Sequence, residues 1–117
     1  MLVYKLTDEN GRTHGGMTWG VNVKHSMSGA GPLCDNGWIH AYEHPLLAVL
    51  HNPIHANFKN PLLWEARTGR KIKRDGQIKL GARTLTTIRE IQLPVVTLEQ
   101  KVRYGILCSV QVYKEAS

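Results

Sequence analysis

Apolar and polar residues alternate at the start of the chain in the manner of a β-strand. Residues 2–6 follow this alternation, and residues 8–11 have the composition of a tight turn. Residues 12–24 are expected to hold the returning strand, which the glycines in that stretch interrupt. Serine, glycine, proline and asparagine are frequent in residues 25–37, which predicts a loop.

A strand and a helix are predicted next. Residues 38–42 suit a strand, and Pro45 suits the first turn of a helix, where its missing N–H is not needed. Glu43 lies two residues earlier, and its negative charge is favourable near the positive N-terminal end of a helix. The helix should end near Asn52, because Pro53 disfavours helical geometry in the residue before it.

The second half of the chain is rich in strand candidates. Residues 62–66 and 77–80 are predicted to be strands, joined by a basic loop or hairpin over residues 68–76. Residues 85–93 fit a strand by their β-branched content. They also fit a short helix, because residues 87–90 have the spacing of a capping box.

A capping box at residues 97–100 predicts a last short helix, passing into a final strand over residues 106–113. Together these patterns predict an α+β fold. We expect a small, mostly antiparallel sheet with one or two short helices, formed by residues 1–117 as a single domain.

Positive charge is concentrated in one segment. The chain carries a net charge of +6, yet eight basic residues and only one acidic residue lie between Arg67 and Arg89. The remaining chain has seven basic and eight acidic residues and is nearly neutral. The predicted partner or phosphate contacts in this segment are Arg67, Arg70, Lys71, Lys73, Arg74, Lys79 and Arg83. The alternative is a solvated hairpin with ordinary surface cations.

The composition narrows the cellular setting. The longest apolar run, residues 46–50, is far below the ~20 residues of a membrane span, and the N-terminus lacks the apolar core of a signal peptide. We therefore expect a cytoplasmic protein that does not act at a membrane.

Cys34 and Cys108 do not form a Cys-x-x-Cys pair, which excludes a zinc ribbon.

Four histidines form the densest group of chemically active side chains. His40 and His44 are four residues apart, as are His51 and His55, and this spacing on a helix would place each pair on one face, as in a metal site. The first pair crosses a predicted strand-to-helix junction, however, and the second crosses Pro53. We therefore favour helix capping for His44 and an interior hydrogen bond for His40.

Trp19 lies in a glycine-rich, polar stretch where it could stack on a base or close over a ligand. The alternative is that its ring covers one end of the sheet.

No phosphate loop follows Gly31, because the Lys-Ser/Thr of that motif is missing. The sequence therefore indicates no cofactor, and the pattern favours no particular oligomeric state.

One stretch resembles a known family. Residues 34–46 combine a cysteine, a Gly-aromatic-x-His-Ala motif and a Pro-Leu helix start. This combination is similar to a domain family of unknown function found in phages and bacterial prophages. Weaker likeness continues through residues 63–66, 78–81 and 85–87. The resemblance implies a phage-type accessory protein in a bacterial host cell. Such a protein would block or sequester a host component, for example part of a defence system. The candidate partners are an acidic host protein, a nucleic acid or a signalling nucleotide.

A second likeness points to an enzyme. The early Tyr4-Lys5 strand, followed by Gly-Trp-Ile-His-Ala and a short helix, is similar to the opening of ADP-ribosyltransferase-like domains. Tyr4 and Lys5 stand where that family usually has Arg or His. This resemblance implies a catalytic or nucleotide-binding cleft near His40, Tyr42 and Glu90, with Glu90 as the candidate catalytic carboxylate.

Overall fold

The computed structural model describes residues 1–13, 15–33, 37–52, 57–75, 79–100, 102 and 103. The strands are β1 (Leu2–Thr7), β2 (Val23–Ser26), β3 (Ile39–Ala41), β4 (Leu62–Thr68), β5 (Ile72–Asp75), β6 (Lys79–Ala82) and β7 (Thr84–Ile91), and helix α1 is Pro45–His51. A first sheet has the order β1-β4-β7-β2 and a second has the order β3-β6-β5. Neighbouring strands are antiparallel, so the predicted α+β class is confirmed.

The strand after the first turn does not return along β1. β1 pairs with β4, with Leu2 opposite Arg67. The expectation of a returning strand over residues 12–24 is therefore wrong. Instead the glycine-rich stretch folds back on itself, and the main-chain N–H of Trp19 donates to the Gly11 carbonyl oxygen at 2.7 Å. Gly11 has a φ of 76°, which favours glycine.

Two further expectations change in the second half of the chain. The segment of residues 68–76 is more than a connection, because it contains β5, which forms a hairpin with β6. The ambiguous segment of residues 85–93 is a strand rather than a helix, since β7 lies between β4 and β2 and bonds to both. β2 likewise extends into the predicted loop of residues 25–37.

The two sheets are joined at two places. β6 and β7 are consecutive in the chain and separated only by Arg83, so one bent segment contributes a strand to each sheet. At the other edge, Tyr4 and Tyr42 exchange both main-chain hydrogen bonds, at 2.7 and 2.9 Å. The strands therefore form a ring that runs from β1 through β4, β7, β6 and β3 back to β1.

Two apolar clusters occupy the two sides of the first sheet. The inner cluster lies inside the ring and consists of Val3, Trp19, Ile39, Ala41, Ala66, Leu80 and Leu85. The outer cluster lies on the opposite side of the first sheet and is centred on Leu6, Tyr42, Ala48 and Leu63. It packs α1 against one end of that side. Alternation along the strands creates this division, because successive side chains point to opposite sides of a sheet.

The predicted helix is confirmed, with Pro45 in its first turn. Its N-cap is His44, whose Nδ1 accepts a hydrogen bond from the Leu46 N–H at 3.2 Å. The capping box near the C-terminus is also present: the Gln100 N–H donates to Thr97 Oγ1 at 3.1 Å, and the Thr97 N–H donates to Gln100 Oε1 at 3.0 Å. The predicted strand over residues 106–113 lies outside the described residues.

Candidate partner-binding surface

The basic segment is spread over both sheets and does not form one linear patch. Its members are Arg67 on β4, Arg70 and Lys71 in the connection to β5, Lys73 and Arg74 on β5, Lys79 on β6, Arg83 at the bend and Arg89 on β7. All are exposed except Lys79, which is half-buried. Their neighbours therefore decide which of them present unneutralised charge together.

Two of these cations are already paired. Arg74 Nη2 lies 2.5 Å from Glu43 Oε1, and Arg89 Nε lies 2.6 Å from Glu65 Oε2. Exposed ion pairs of this kind contribute only about 0–1 kcal/mol to stability. Each carboxylate nevertheless cancels a charge that an anionic partner would otherwise meet, so Arg74 and Arg89 offer less attraction than the sequence indicates.

Two lysines contact a loop that covers the second sheet. This covering loop consists of residues 27–33, 37 and 38. Lys73 Nζ donates to the Gly31 carbonyl oxygen at 3.3 Å, and the indole N–H of Trp38 donates to the same oxygen at 3.0 Å. Lys71 Nζ lies 5.8 Å from the centroid of a Trp38 ring, within the range of a cation–π contact. Part of the basic segment therefore has a structural role.

Four of the cations gather where the chain passes from one sheet to the other, and one of them is Lys71, which also contacts Trp38. The Gly69 N–H donates to the Thr84 carbonyl oxygen at 3.0 Å, and the Arg83 N–H donates to the Lys71 carbonyl oxygen at 3.1 Å. These bonds bring the start of the β4–β5 connection next to the bend between β6 and β7. We call the exposed group at this point the basic corner: Arg67, Arg70, Lys71 and Arg83. Within the described part of the chain, none of the four forms a salt bridge.

Sequence reasoning missed Lys24, which lies far from the basic segment along the chain. On β2, Lys24 is opposite Thr86 of β7, and Thr86 is opposite Arg67 of β4. Directly opposed residues of antiparallel strands share a side of the sheet, so Lys24 and Arg67 lie on the same side with one strand between them. The alternation of Val23 to Ser26 could have predicted β2, but only the strand order places Lys24 beside β7.

The histidines have structural contacts where they are described. His40 Nε2 bonds to the Leu33 carbonyl oxygen, and His44 caps α1, as the sequence favours. His51 is 4% exposed, and its ring lies 5.4 Å from that of Tyr42. His55 lies outside the described residues. Among the residues that are described, no three histidine, cysteine, aspartate or glutamate side chains are placed to hold a metal ion.

The three side chains of the possible transferase cleft are not brought together. Tyr42 is buried in the outer cluster, and this burial raises its pKa to about 12. Glu90 is exposed on β7, opposite Trp64. In the order of the first sheet, β1 and β4 lie between Tyr42 and β7, so Tyr42 and Glu90 are not on neighbouring strands. The His40 side chain is directed to the covering loop through its bond to Leu33.

A lysine and a tryptophan lie on the inner side of the first sheet. Lys5 Nζ donates to the His40 carbonyl oxygen at 2.6 Å and lies 5.9 Å from the centroid of a Trp19 ring. Burial, together with the nearby positive charge of Lys79, lowers the pKa of Lys5 to about 8. Trp19 is 4% exposed and packs edge-on against His25, with 4.6 Å between the ring centroids. Its ring would have to leave the core to stack on a base.

The described residues include no helix with the length and apolar character needed to span a membrane. A scan against protein-family models finds no match, and comparisons with curated proteins and with solved structures find none either. Support for a function therefore comes from the residues and their geometry.

Proposed function

We propose that this chain is a non-catalytic binding protein whose basic corner contacts an anionic partner. The observation that carries the proposal is the local excess of positive charge at Arg67, Arg70, Lys71 and Arg83, which are exposed and form no salt bridge among the described residues. Clustered cations without opposing charge raise the local concentration of anionic ligands and accelerate their association.

The separation of the candidate catalytic side chains supports a binding role over catalysis. An acid–base mechanism needs its groups within hydrogen-bond reach of one substrate, at about 2.6–3.2 Å. Tyr42 and Glu90 are several strands apart, and Tyr42 lies in an apolar cluster. Burial raises the pKa of Tyr42 to about 12, so its hydroxyl ionises less readily than that of an exposed tyrosine, which does not suit a general base.

The cellular role that we propose follows from the resemblance to the phage domain family. In this role the protein acts in the cytoplasm of a bacterial host, where it blocks or sequesters a host component, such as part of a defence system. The candidate partners that the sequence suggests, an acidic protein, a nucleic acid or a signalling nucleotide, all carry negative charge, which the basic corner would attract.

A pulldown from bacterial lysate tests the proposal. The bait is the full chain, and the bound proteins and nucleic acids are identified with wild-type protein and with the double variant Arg70→Glu/Arg83→Glu. The matched control is Arg12→Glu/Lys59→Glu, which makes the same change of charge at exposed positions outside the basic corner.

We expect the basic-corner variant to lose the partner and the control to retain it, with both variants melting close to the wild-type temperature. Equal retention by both variants would contradict the proposal. The same conclusion would follow if the partner were lost equally from both, because net charge and not the basic corner would then decide binding.

A further inference from the structure

The outer side of the first sheet carries a row of residues in register across all four strands. Leu2 of β1 lies opposite Arg67 of β4, Arg67 lies opposite Thr86 of β7, and Thr86 lies opposite Lys24 of β2. We call these four residues the cross-strand row. Because neighbouring strands are about 4.8 Å apart, the main chains at Arg67 and Lys24 are about 10 Å apart with Thr86 between them.

This row lies at the end of the sheet that α1 does not cover. The outer cluster, which packs α1 against the sheet, contains the opposed pair Leu6 and Leu63. This pair is four residues along the strands from the opposed pair Leu2 and Arg67. Lys24 and Arg67 are exposed and Thr86 is half-buried. The row is therefore open to a ligand.

Hydroxyl groups extend the row along the strands. Ser26 lies opposite Thr84, on the same side as Lys24 and Thr86, and their hydroxyl oxygens are 3.4 Å apart. Beside Thr84, Arg70 follows Gly69, whose N–H donates to the Thr84 carbonyl oxygen. The open surface thus combines guanidinium, ammonium and hydroxyl donors on one side of a sheet.

This combination of donors fits a series of phosphates better than the other anionic partners. Arg, Lys, Ser and Thr side chains are among those that contact the sugar–phosphate backbone of nucleic acids. A protein partner is less well matched, because the centres of protein interfaces are enriched in aromatic residues and Met as well as Arg, and are depleted in Lys and Ser. A single nucleotide usually occupies a concave pocket, whereas these residues lie across the side of a sheet.

The same surface favours a duplex over a single strand. Proteins that bind single strands present aromatic rings on which bases stack. On this side of the first sheet, the aromatic residue among the described strand positions is Tyr4, which is half-buried and packs against the outer cluster. The cross-strand row would therefore contact the backbone without stacking on the bases.

We infer that the cross-strand row, with Lys24 and Arg67 as its charged contacts, binds the phosphate backbone of double-stranded nucleic acid without reading its sequence. This inference rests on the proposed function and specifies the partner. It also assigns a role to Lys24, which lies outside the basic segment of the sequence.

A salt titration tests this inference. The full chain is titrated into a fluorescently labelled DNA duplex of about 20 base pairs, a length that exceeds one helical turn of about 10.5 base pairs, and anisotropy is measured at several salt concentrations. Each phosphate contact contributes about −0.9 to the slope of log Kobs against log salt concentration. Lys24→Ala and Arg67→Ala should therefore each make the slope shallower by about 0.9, whereas the control variants Arg12→Ala and Lys59→Ala should leave it unchanged.

Three results would overturn the inference. The first is no duplex binding at low salt, and the second is an equal change of slope in the test and control variants. The third is tighter binding of a single strand than of the duplex, because stacking would then contribute. A second duplex of unrelated sequence should bind equally, and a strong preference for one sequence would contradict backbone recognition.

Failure here can be distinguished from failure of the proposed function. Arg67 belongs to both surfaces, so Lys24→Ala is the variant that separates them. If the lysate partner is lost from Arg70→Glu/Arg83→Glu but retained by Lys24→Ala, the basic corner binds a partner and the cross-strand row does not. If neither set of variants loses the partner, both proposals fail. Because Lys24 and Arg67 are exposed, the substitutions should leave the melting temperature close to that of the wild type.

Discussion

Lys5 donates a hydrogen bond to the main-chain carbonyl oxygen of His40 at 2.6 Å, linking the first strands of the two sheets through one side chain. A buried ammonium group is unfavourable unless it is paired. Here the amine has a carbonyl acceptor, while Lys79 adds repulsion and the surroundings withhold water, so its pKa is lowered to about 8. The energetic cost of this arrangement should therefore depend on pH.

The first prediction is a rise of stability with pH. The pKa of Lys5 is near 10.5 in the unfolded chain and about 8 in the folded protein. Between about pH 8 and pH 10.5, Lys5 is therefore protonated in the unfolded chain and deprotonated in the folded protein. The free energy of unfolding should therefore increase across this window, and the pKa difference corresponds to about 3 kcal/mol. Below about pH 8 the lysine is protonated in both states, and its full cost is present.

Urea unfolding of wild-type protein and of Lys5→Met, measured at intervals across the same pH window, checks this prediction. The difference between the two curves isolates Lys5. Tyr42 has the opposite effect at higher pH, because its pKa is raised from 10.0 to about 12 and stability falls as pH rises between those values. Parallel curves for the two proteins would show that the pKa of Lys5 is not lowered.

The second prediction concerns a buried hydroxyl. The indole N–H of Trp64 donates to Thr7 Oγ1 at 2.9 Å, and both residues are buried. Thr7→Val keeps the shape but removes the acceptor, which should lower the free energy of unfolding by about 1–3 kcal/mol because the indole N–H loses its partner. Thr7→Ser keeps the hydroxyl and should lose less. A smaller loss for valine than for serine would contradict this role.

The third prediction concerns the fit of the covering loop on the second sheet. A Cβ atom added at Gly81 would overlap the Leu33 side chain and lie 2.9 Å from Trp38 Cβ. Gly81→Ala should therefore destabilise the protein by about 1–3 kcal/mol, as overpacking usually does. Gly15→Ala is the matched control, because a Cβ there has no atom within 4 Å. Equal melting temperatures for the two variants would contradict the close fit.

The fourth prediction separates paired from unpaired cations in binding. Because Glu43 lies 2.5 Å from Arg74, removing that carboxylate should strengthen binding of a DNA duplex, and Arg74→Ala should weaken it less than Arg67→Ala. The anisotropy titration, with Glu43→Gln, Arg74→Ala and Arg67→Ala compared at one salt concentration, measures this order. Weakened binding by Glu43→Gln would show that the ion pair itself positions a contact.

Local patterns predicted the elements better than they predicted the neighbours of those elements. Strand alternation, a proline in the first helical turn and the three-residue spacing of a capping box are local features, so β1, α1 and the capping box near the C-terminus were correctly expected. Strand pairing is not local: β1 bonds to β4, across more than fifty intervening residues, and no nearby pattern specifies this.

The candidate surface shows the same limit. Charge counted along the chain selected Arg67 to Arg89. Arg74, however, is paired with Glu43 from the connection between β3 and α1, and Arg89 is paired with Glu65 of β4. Lys73 contacts the covering loop. Lys24 was missed because its nearness to Arg67 comes from the position of β7 between β2 and β4. A linear count of charge therefore overstates some contacts and omits others.

The bent segment that contributes both β6 and β7 has a consequence for the opening motions of the protein. β3 and β5 bond to its first half, and β4 and β2 bond to its second half. Loss of this segment would therefore free the main-chain amides of both sheets at once. Protected amides of β3 and β4 should exchange with deuterium at similar free energies of opening, as one cooperative unit, although the two strands belong to different sheets.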